Sequence, residues 1–233
     1  MSERRPTIAV IVFPGSNDDR DAAWALPALG GDATLVWHAE QRLPDDVAAV
    51  VLPGGFSYGD YLRSGAIARF SPVMPAVAAF AAEGGPVLGI CNGFQILCEA
   101  GLLPGALRPN ASLSFVCRDV AVRVERAAAP FTSRCEAGQR LTIPVKHGEG
   151  CWFAPSELLR ELEENDQIVL RYAGDNPNGA IADVAGVVNE RGNVMGLMPH
   201  PEHAVDPLLG SGDGALILAS LVDAARDRLT ALL

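Results

Sequence analysis

Short, continuous apolar runs alternate with helical segments as far as Gly101, and this alternation constrains the fold more than any other feature of the chain. Residues 7–13 are apolar and rich in β-branched side chains, the pattern of a strand buried on both faces. Pro14-Gly15-Ser16-Asn17 then makes a turn, and Asn17 or Asp18 is placed to cap a helix running to about Leu29, where Gly30-Gly31 ends it. Residues 33–37 and 47–52 read as further short strands. Ser71-Pro72 opens a helix reaching about Ala82, with proline at a tolerated early position. Residues 86–90 form the next strand, and a helix follows Cys91. Strands alternating with helices predict an α/β fold with a doubly wound, mostly parallel sheet flanked by helices.

After Gly101 the texture changes. Residues 114–124, 140–146, 167–172 and 184–189 read as strands joined by turns with little helix. Glu190-Arg191-Gly192-Asn193 is a hairpin turn into residues 194–198, so this C-terminal half predicts additional antiparallel strands. Residues 213–232 form a final amphipathic helix. No repeat, low-complexity linker or composition shift marks a boundary, and residues 1–233 read as one domain.

Composition narrows the function classes. Net charge is −10, from 18 basic and 28 acidic residues, with no basic run, which disfavours nucleic-acid binding. No apolar run reaches the roughly 18–20 residues that cross a bilayer. Met1-Ser2-Glu3-Arg4-Arg5-Pro6 leads directly into a strand without a secretory apolar core or cleavage site. Five cysteines, an odd number with no CxxC pair, argue for a reducing, cytoplasmic setting. Cys98, Cys117, Cys135 and Cys151 are expected as unpaired thiols. No spacing recommends a metal site.

Chemistry concentrates at Gly89-Ile90-Cys91-Asn92-Gly93-Phe94-Gln95. A strand runs into a thiol at a sharp turn that opens a helix, with glycines two residues before and after it. The glycines allow a tight bend and leave room around the sulfur, and the helix N-terminus favours thiolate. This is a nucleophile elbow carrying Cys instead of Ser. The ordinary alternative is a buried core cysteine. A cysteine nucleophile needs a base and a group that orients it. His200 with Glu202 and His147 with Glu149 offer the same spacing, and on spacing alone neither is preferred. His203 and His38 read as surface or packing residues. An oxyanion hole is expected from the N–H of Asn92 and from the Pro53-Gly54-Gly55 turn, which ends a strand on the same sheet edge. The polar, aromatic segment 57–65 is expected to line the pocket or contact a partner, the ordinary alternative being a solvated loop. No GxxxxGK[ST] or GxGxxG loop is present, so no nucleotide site is expected on this chain.

Together these pieces resemble the class I (triad) glutamine amidotransferase domain, on Pro53-Gly54-Gly55, the elbow, and Pro199-His200-Pro201-Glu202. The resemblance implies Cys91 as nucleophile, His200 as base and Glu202 as its orienting partner. It also implies Gly54, Gly55 and Asn92 as oxyanion donors, with Gln95, His147 and Gly148 binding L-glutamine. Residues 55–68, the string Ile143-Pro144-Val145-Lys146-His147-Gly148-Glu149-Gly150 and residues 192–202 narrow the likeness. They are similar to the glutaminase subunits that serve the synthase making formylglycinamidine ribonucleotide in purine biosynthesis. That likeness implies a large synthetase partner holding ATP and magnesium, a small accessory subunit, and no cofactor on this chain. Asp18 stands where that family commonly has Cys, and Ala180 where Ser is common; neither is expected to touch the triad. The rival readings are a glutaminase subunit of another synthase, a stand-alone cysteine hydrolase, and a binding module.

Overall fold

The computed structural model describes residues 5–128 and 130–231. In chain order the elements are β1 (Thr7–Val12), α1 (Asp19–Ala28), β2 (Asp32–Trp37), β3 (Val47–Leu52), α2 (Met74–Ala82), β4 (Val87–Ile90) and α3 (Asn92–Glu99). Then come β5 (Ala106–Arg108), β6 (Val116–Val124), β7 (Arg140–His147), β8 (Cys151–Phe153), α4 (Ser156–Glu164), β9 (Ile168–Tyr172), β10 (Val184–Val188), β11 (Val194–Leu197) and α5 (Gly214–Ala231).

Nine strands form one sheet in the order β2-β1-β3-β4-β11-β10-β9-β6-β7. From β2 to β11 neighbouring strands are parallel. From β11 onward each pairing is antiparallel. The expected mixed α/β sheet is therefore present, and burial explains its two halves. All six residues of β3 are apolar and buried, as a central parallel strand covered on both faces must be. Along β7 buried residues alternate with exposed or half-buried ones, because one face of the antiparallel half is wetter. Helices α1 and α5 pack against each other, and α3 packs on β4 and β11.

Several local expectations shift. Helix α2 begins at Met74 rather than Ser71, with Pro75 in its first turn and Ser71 closing a short 3₁₀ turn instead. Helix α4 falls in the half expected to hold little helix; its Leu158, Leu159 and Leu162 stripe is the signal for it. Strands β5 and β8 pair as a separate antiparallel ribbon, also unforeseen. The expected last helix is described to Ala231, so residue 232 and the N-terminal Met1–Arg4 stretch lie outside the described residues.

Two features of this topology build a site. The order β2-β1-β3 reverses direction at β1, and the crevice at such a reversal, outside the carboxyl ends of the strands, is where ligands bind in open α/β sheets. The β10–β11 hairpin then inserts β11 beside β4, with Leu197 in register with Ile90. Chain leaving β11 therefore emerges next to chain leaving β4.

Candidate active site

Cys91 sits at the β4–α3 junction with φ of +50° and ψ of −103°, a conformation unfavourable for any residue with a Cβ. Its N–H donates to the Leu197 carbonyl oxygen at 2.8 Å, which fixes the turn to β11. Gly93, in the first turn of α3, lies so close to β3 that a Cβ there would stand 2.0 Å from the Leu52 oxygen. A side chain at Gly93 would lever the helix off the sheet and move the thiol. The strained cysteine, tight helix approach and fixed turn are those of a nucleophile elbow.

From the neighbouring strand, the chain after β11 presents His200, whose N–H donates to the Pro144 oxygen of β7 at 2.8 Å. The ring Nδ1 donates to Glu202 Oε1 at 2.6 Å, with both side chains buried. This pairing assigns the proton to Nδ1 and leaves Nε2 as the ring's free nitrogen. Nε2 is buried without a hydrogen-bond partner among the described protein groups, and Cys91, like Glu202, is a group whose charge acts on the ring. Burial on its own would push the imidazolium pKa down. Glu202 and Cys91 overcome this and raise it to about 10.

The rival pair does not form. His147 Nδ1 faces Asn110 Oδ1 at 3.1 Å, and Nε2 faces Asn178 Nδ2 at 3.4 Å. The Glu149 carboxylate instead accepts from Ser64 at 2.8 Å. Burial, then the charge of His200, lowers the His147 pKa to about 4, so the ring is neutral near pH 7. The two His-x-Glu pairs that spacing left equivalent therefore differ in their partners: the His200 ring is bonded to Glu202, the His147 ring to Asn110 and Asn178.

A cavity of about 170 Å³ opens beside Cys91, lined also by Gly55, Asp60, Ser64, Gln95, Lys146, Gly148, Glu149 and His147. Of the predicted residues, Gly55, Cys91, Gln95, His147 and Gly148 share this cavity. Gly54 instead abuts the His200 ring from the other side of its turn, where an added Cβ would stand 2.7 Å from Cε1. Asn92 is buried; its Oδ1 accepts from the Ser57 N–H and its Nδ2 donates to Gln95 Oε1 at 2.8 Å. Its backbone N–H is the first of α3, one of the donors that a helix start leaves without an intrahelical acceptor.

Segment 57–65 divides its work. Asp60 and Ser64 line the cavity, while Tyr61 and Leu62 are exposed, and Tyr58, Asp60 and Leu62 all hold positive φ. Burial, then the neighbouring Glu149, pushes the Asp60 pKa up to about 6. Asp60 carries no sequence signal that singles it out from its loop. The structure corrects the reading of Asp18, while His203 and His38 pack against neighbouring rings as expected. The His203 ring lies 5.4 Å from that of His200. Asp18 makes no side-chain cap for α1, and its Oδ2 lies 3.6 Å from His200 Nδ1, so this family departure does touch the triad region. His38 packs as expected but is also bonded to the Tyr58 hydroxyl at 2.6 Å. Ala180 lies buried in the loop that carries Asn178, whose Oδ1 accepts from its N–H at 3.0 Å. All five cysteines are free, and no helix among the described residues is long and apolar enough to cross a membrane.

The fold and the elbow define a class I glutamine amidotransferase. Residues 5–212 match the CobB/CobQ-like glutamine amidotransferase domain, and the chain belongs to that family. The PurQ component of phosphoribosylformylglycinamidine synthase from Rubrobacter xylanophilus is 59% identical over 219 residues, covering 94% of this chain and 99% of that protein. The Salinibacter ruber PurQ is 56% identical over 223 residues, covering 92% and 94%. A chain in the structure of PurLQS from Thermotoga maritima superposes with a TM-score of 0.86 at 44% identity, covering 94% and 99%. A GMP synthase-like protein from Thermoplasma acidophilum gives 0.68 at 16% identity, covering 96% of each chain, a likeness of fold alone. Within its family this chain falls with the PurQ glutaminase subunits of phosphoribosylformylglycinamidine synthase, which supply ammonia from glutamine for purine biosynthesis.

Proposed function

We propose that the cavity beside Cys91 binds L-glutamine and that Cys91, His200 and Glu202 hydrolyse it. The observation that carries this is the Nδ1–Glu202 bond of 2.6 Å, which leaves the buried Nε2 of His200 for the thiol. The Cys91 thiolate attacks the side-chain carboxamide carbon. The developing oxyanion is held by backbone N–H groups of the Gly54-Gly55 turn and Asn92. The C–N bond breaks as His200 passes its proton to the leaving nitrogen, giving ammonia and a γ-glutamyl thioester. His200 then takes a proton from water, which attacks the thioester carbon; glutamate leaves and the thiolate returns. Glu202 holds the ring in the productive tautomer and stabilises its charge. Gln95, His147 and Gly148 shape the glutamine pocket. His147 does so as a neutral ring tied to Asn110 and Asn178.

The Thermotoga PurLQS assembly supports a complex with a large synthetase partner and a small third component. ATP and magnesium belong on the large partner. The test of the nucleophile is covalent labelling with azaserine, a diazo analogue of glutamine. Label is expected on Cys91 and on no other cysteine; label on Cys98, Cys117, Cys135 or Cys151 with Cys91 unmodified would sink the reading.

Asp60 and Glu149 give the pocket two carboxylates, the natural receptors for the α-ammonium of an amino acid. The Asp60 carboxyl titrates at about 6, so it loses its charge as pH falls through that value. The KM for glutamine is therefore expected to rise as pH drops below 6, with kcat less affected. Asp60→Asn should raise KM by roughly 10–100-fold, the worth of one charge-assisted hydrogen bond, and flatten that acid rise. Steady-state kinetics across pH read both effects, and an unchanged KM would remove Asp60 from the pocket's ammonium site.

A further inference from the structure

The His200 imidazole faces two carboxylates, and only Glu202 has a place in the proposed chemistry. The other is Asp18, in the turn after β1, whose side chain is 3% exposed. Its Oδ2 lies 3.6 Å from His200 Nδ1. Its Oδ1 accepts from the Lys146 ammonium and from His203 Nε2, the latter at 3.3 Å. The Asp18 N–H donates to the Gly54 oxygen at 3.2 Å. Gly54 has no room for a side chain, because a Cβ would stand 2.3 Å from Asp18 Oδ2 and 2.7 Å from His200 Cε1. Carboxylate, glycine turn and imidazole are thus in mutual contact.

We infer that Asp18 is a positioning residue for His200: its carboxylate, shared with Lys146 and His203, is a second counter-charge that holds the imidazolium under the Gly54 turn and keeps it charged. The inference rests on His200 being the base. Burial opposes ionisation of Asp18, but the His203 bond, then the charges of His200 and Lys146, hold its carboxyl well below the usual carboxylate range. The carboxylate is therefore charged throughout the working range. The other charged or titratable groups around the ring are Glu202 and Cys91, with His203 beside it and His147 within reach of its charge. His203 Nε2 is also 3.6 Å from Glu202 Oε1, so the two carboxylates and two imidazoles form one network. Asp18, His200, Glu202 and His203 have polar atoms within 4.8 Å of one another, a spacing that suits a cation. The Lys146 ammonium already occupies that place at Asp18 Oδ1, so the cluster is an ion-pair network. Lys146 also lines the glutamine cavity, and its carbonyl oxygen is 3.8 Å from Cys91 Sγ. Asp18 thereby fixes the wall of the pocket as well as the base.

The test is the rate of inactivation by azaserine as a function of pH, measured on the full chain assembled with its synthetase partner. Inactivation requires the imidazolium and falls on the alkaline side as the ring loses its proton. Removing a nearby negative charge makes that proton easier to lose. Asp18→Asn should therefore move the alkaline limb to lower pH by about one unit, the effect of one charge at this range. Lys146→Met, which frees Asp18 of its competing cation, should move the limb the opposite way. A lower plateau rate with the limb unmoved in both variants would show a merely structural role and overturn the inference. Should Asp18→Asn not fold, Asp18→Ser removes the same charge with a smaller side chain and is read against the same criterion. Inactivation that persists in Cys91→Ala would instead overturn the nucleophile assignment.

Discussion

Cys91→Ala is expected to abolish glutamine-dependent synthesis while synthesis from added ammonia continues. The exchange removes a single sulfur atom from a buried turn whose conformation is held by backbone contacts: the Leu197 oxygen on one side and the close Gly93–Leu52 approach on the other. The packing cost is about 1 kcal/mol, too little to dissolve a core of this size. The chemical cost is large, because without the sulfur no covalent intermediate forms and the remaining groups have nothing to activate. A loss on the order of 10⁴-fold or more in glutamate release is expected. Amidine synthesis from ammonia is expected at a separate site on the partner. The measurement is a pair of assays on the same purified complex, one with glutamine and one with an ammonium salt. Loss of both activities in an intact complex would contradict separate sites. ATP-dependent amidine formation by this chain alone would contradict the subunit reading itself.

His200→Ala should reduce glutamine hydrolysis by a factor on the order of 10²–10⁴, the range for loss of a general acid–base group. The leaving nitrogen then departs without a proton, and the thiolate loses its counter-charge. Glu202→Gln should cost less than this, since an amide oxygen can still accept the Nδ1 proton but cannot stabilise the ring's charge as a carboxylate does. His147→Ala should act mainly on KM, because its ring is neutral and committed to Asn110 and Asn178. Comparing kcat for the three variants decides the assignment, and a greater loss of kcat at His147 than at His200 would reverse it. The sign of the pH dependence follows from the raised pKa of His200: the imidazolium persists at neutral pH and is lost as pH rises through about 10. Activity in the wild type should accordingly fall on the alkaline side through loss of the proton donor.

The elbow and the sheet core are legible in the chain because they obey local rules. A strand buried on both faces must be apolar along its whole length, and residues 47–52 are. A strand-to-helix turn around a thiol needs glycines nearby, and Gly89 and Gly93 are in place. Helix α4 escapes such rules because its one apolar stripe is short and set in a highly charged segment. The two His-x-Glu pairs are indistinguishable by spacing, and family likeness rather than local physics favours His200. What separates them is which partners the folded chain brings to each ring. Insertion of β11 beside β4 places His200 against Cys91, while β7 buries His147 between Asn110 and Asn178.

Asp18 and Asp60 show the other side of that division. By local rules Asp18 is a helix cap, and Asp60 is one polar residue among several in segment 57–65 with nothing to single it out. Asp18 meets Lys146 across 128 positions of chain and His203 across 185, and Asp60 acquires its raised pKa from burial and from Glu149. Sequence by itself determined the buried strands of the sheet and the strand–thiol–helix turn at Cys91, because backbone geometry and burial periodicity are written in neighbouring residues. Tertiary structure alone decided which groups surround His200, His147, Asp60 and Asp18, because electrostatic environment depends on groups that become neighbours only once the sheet has closed around them.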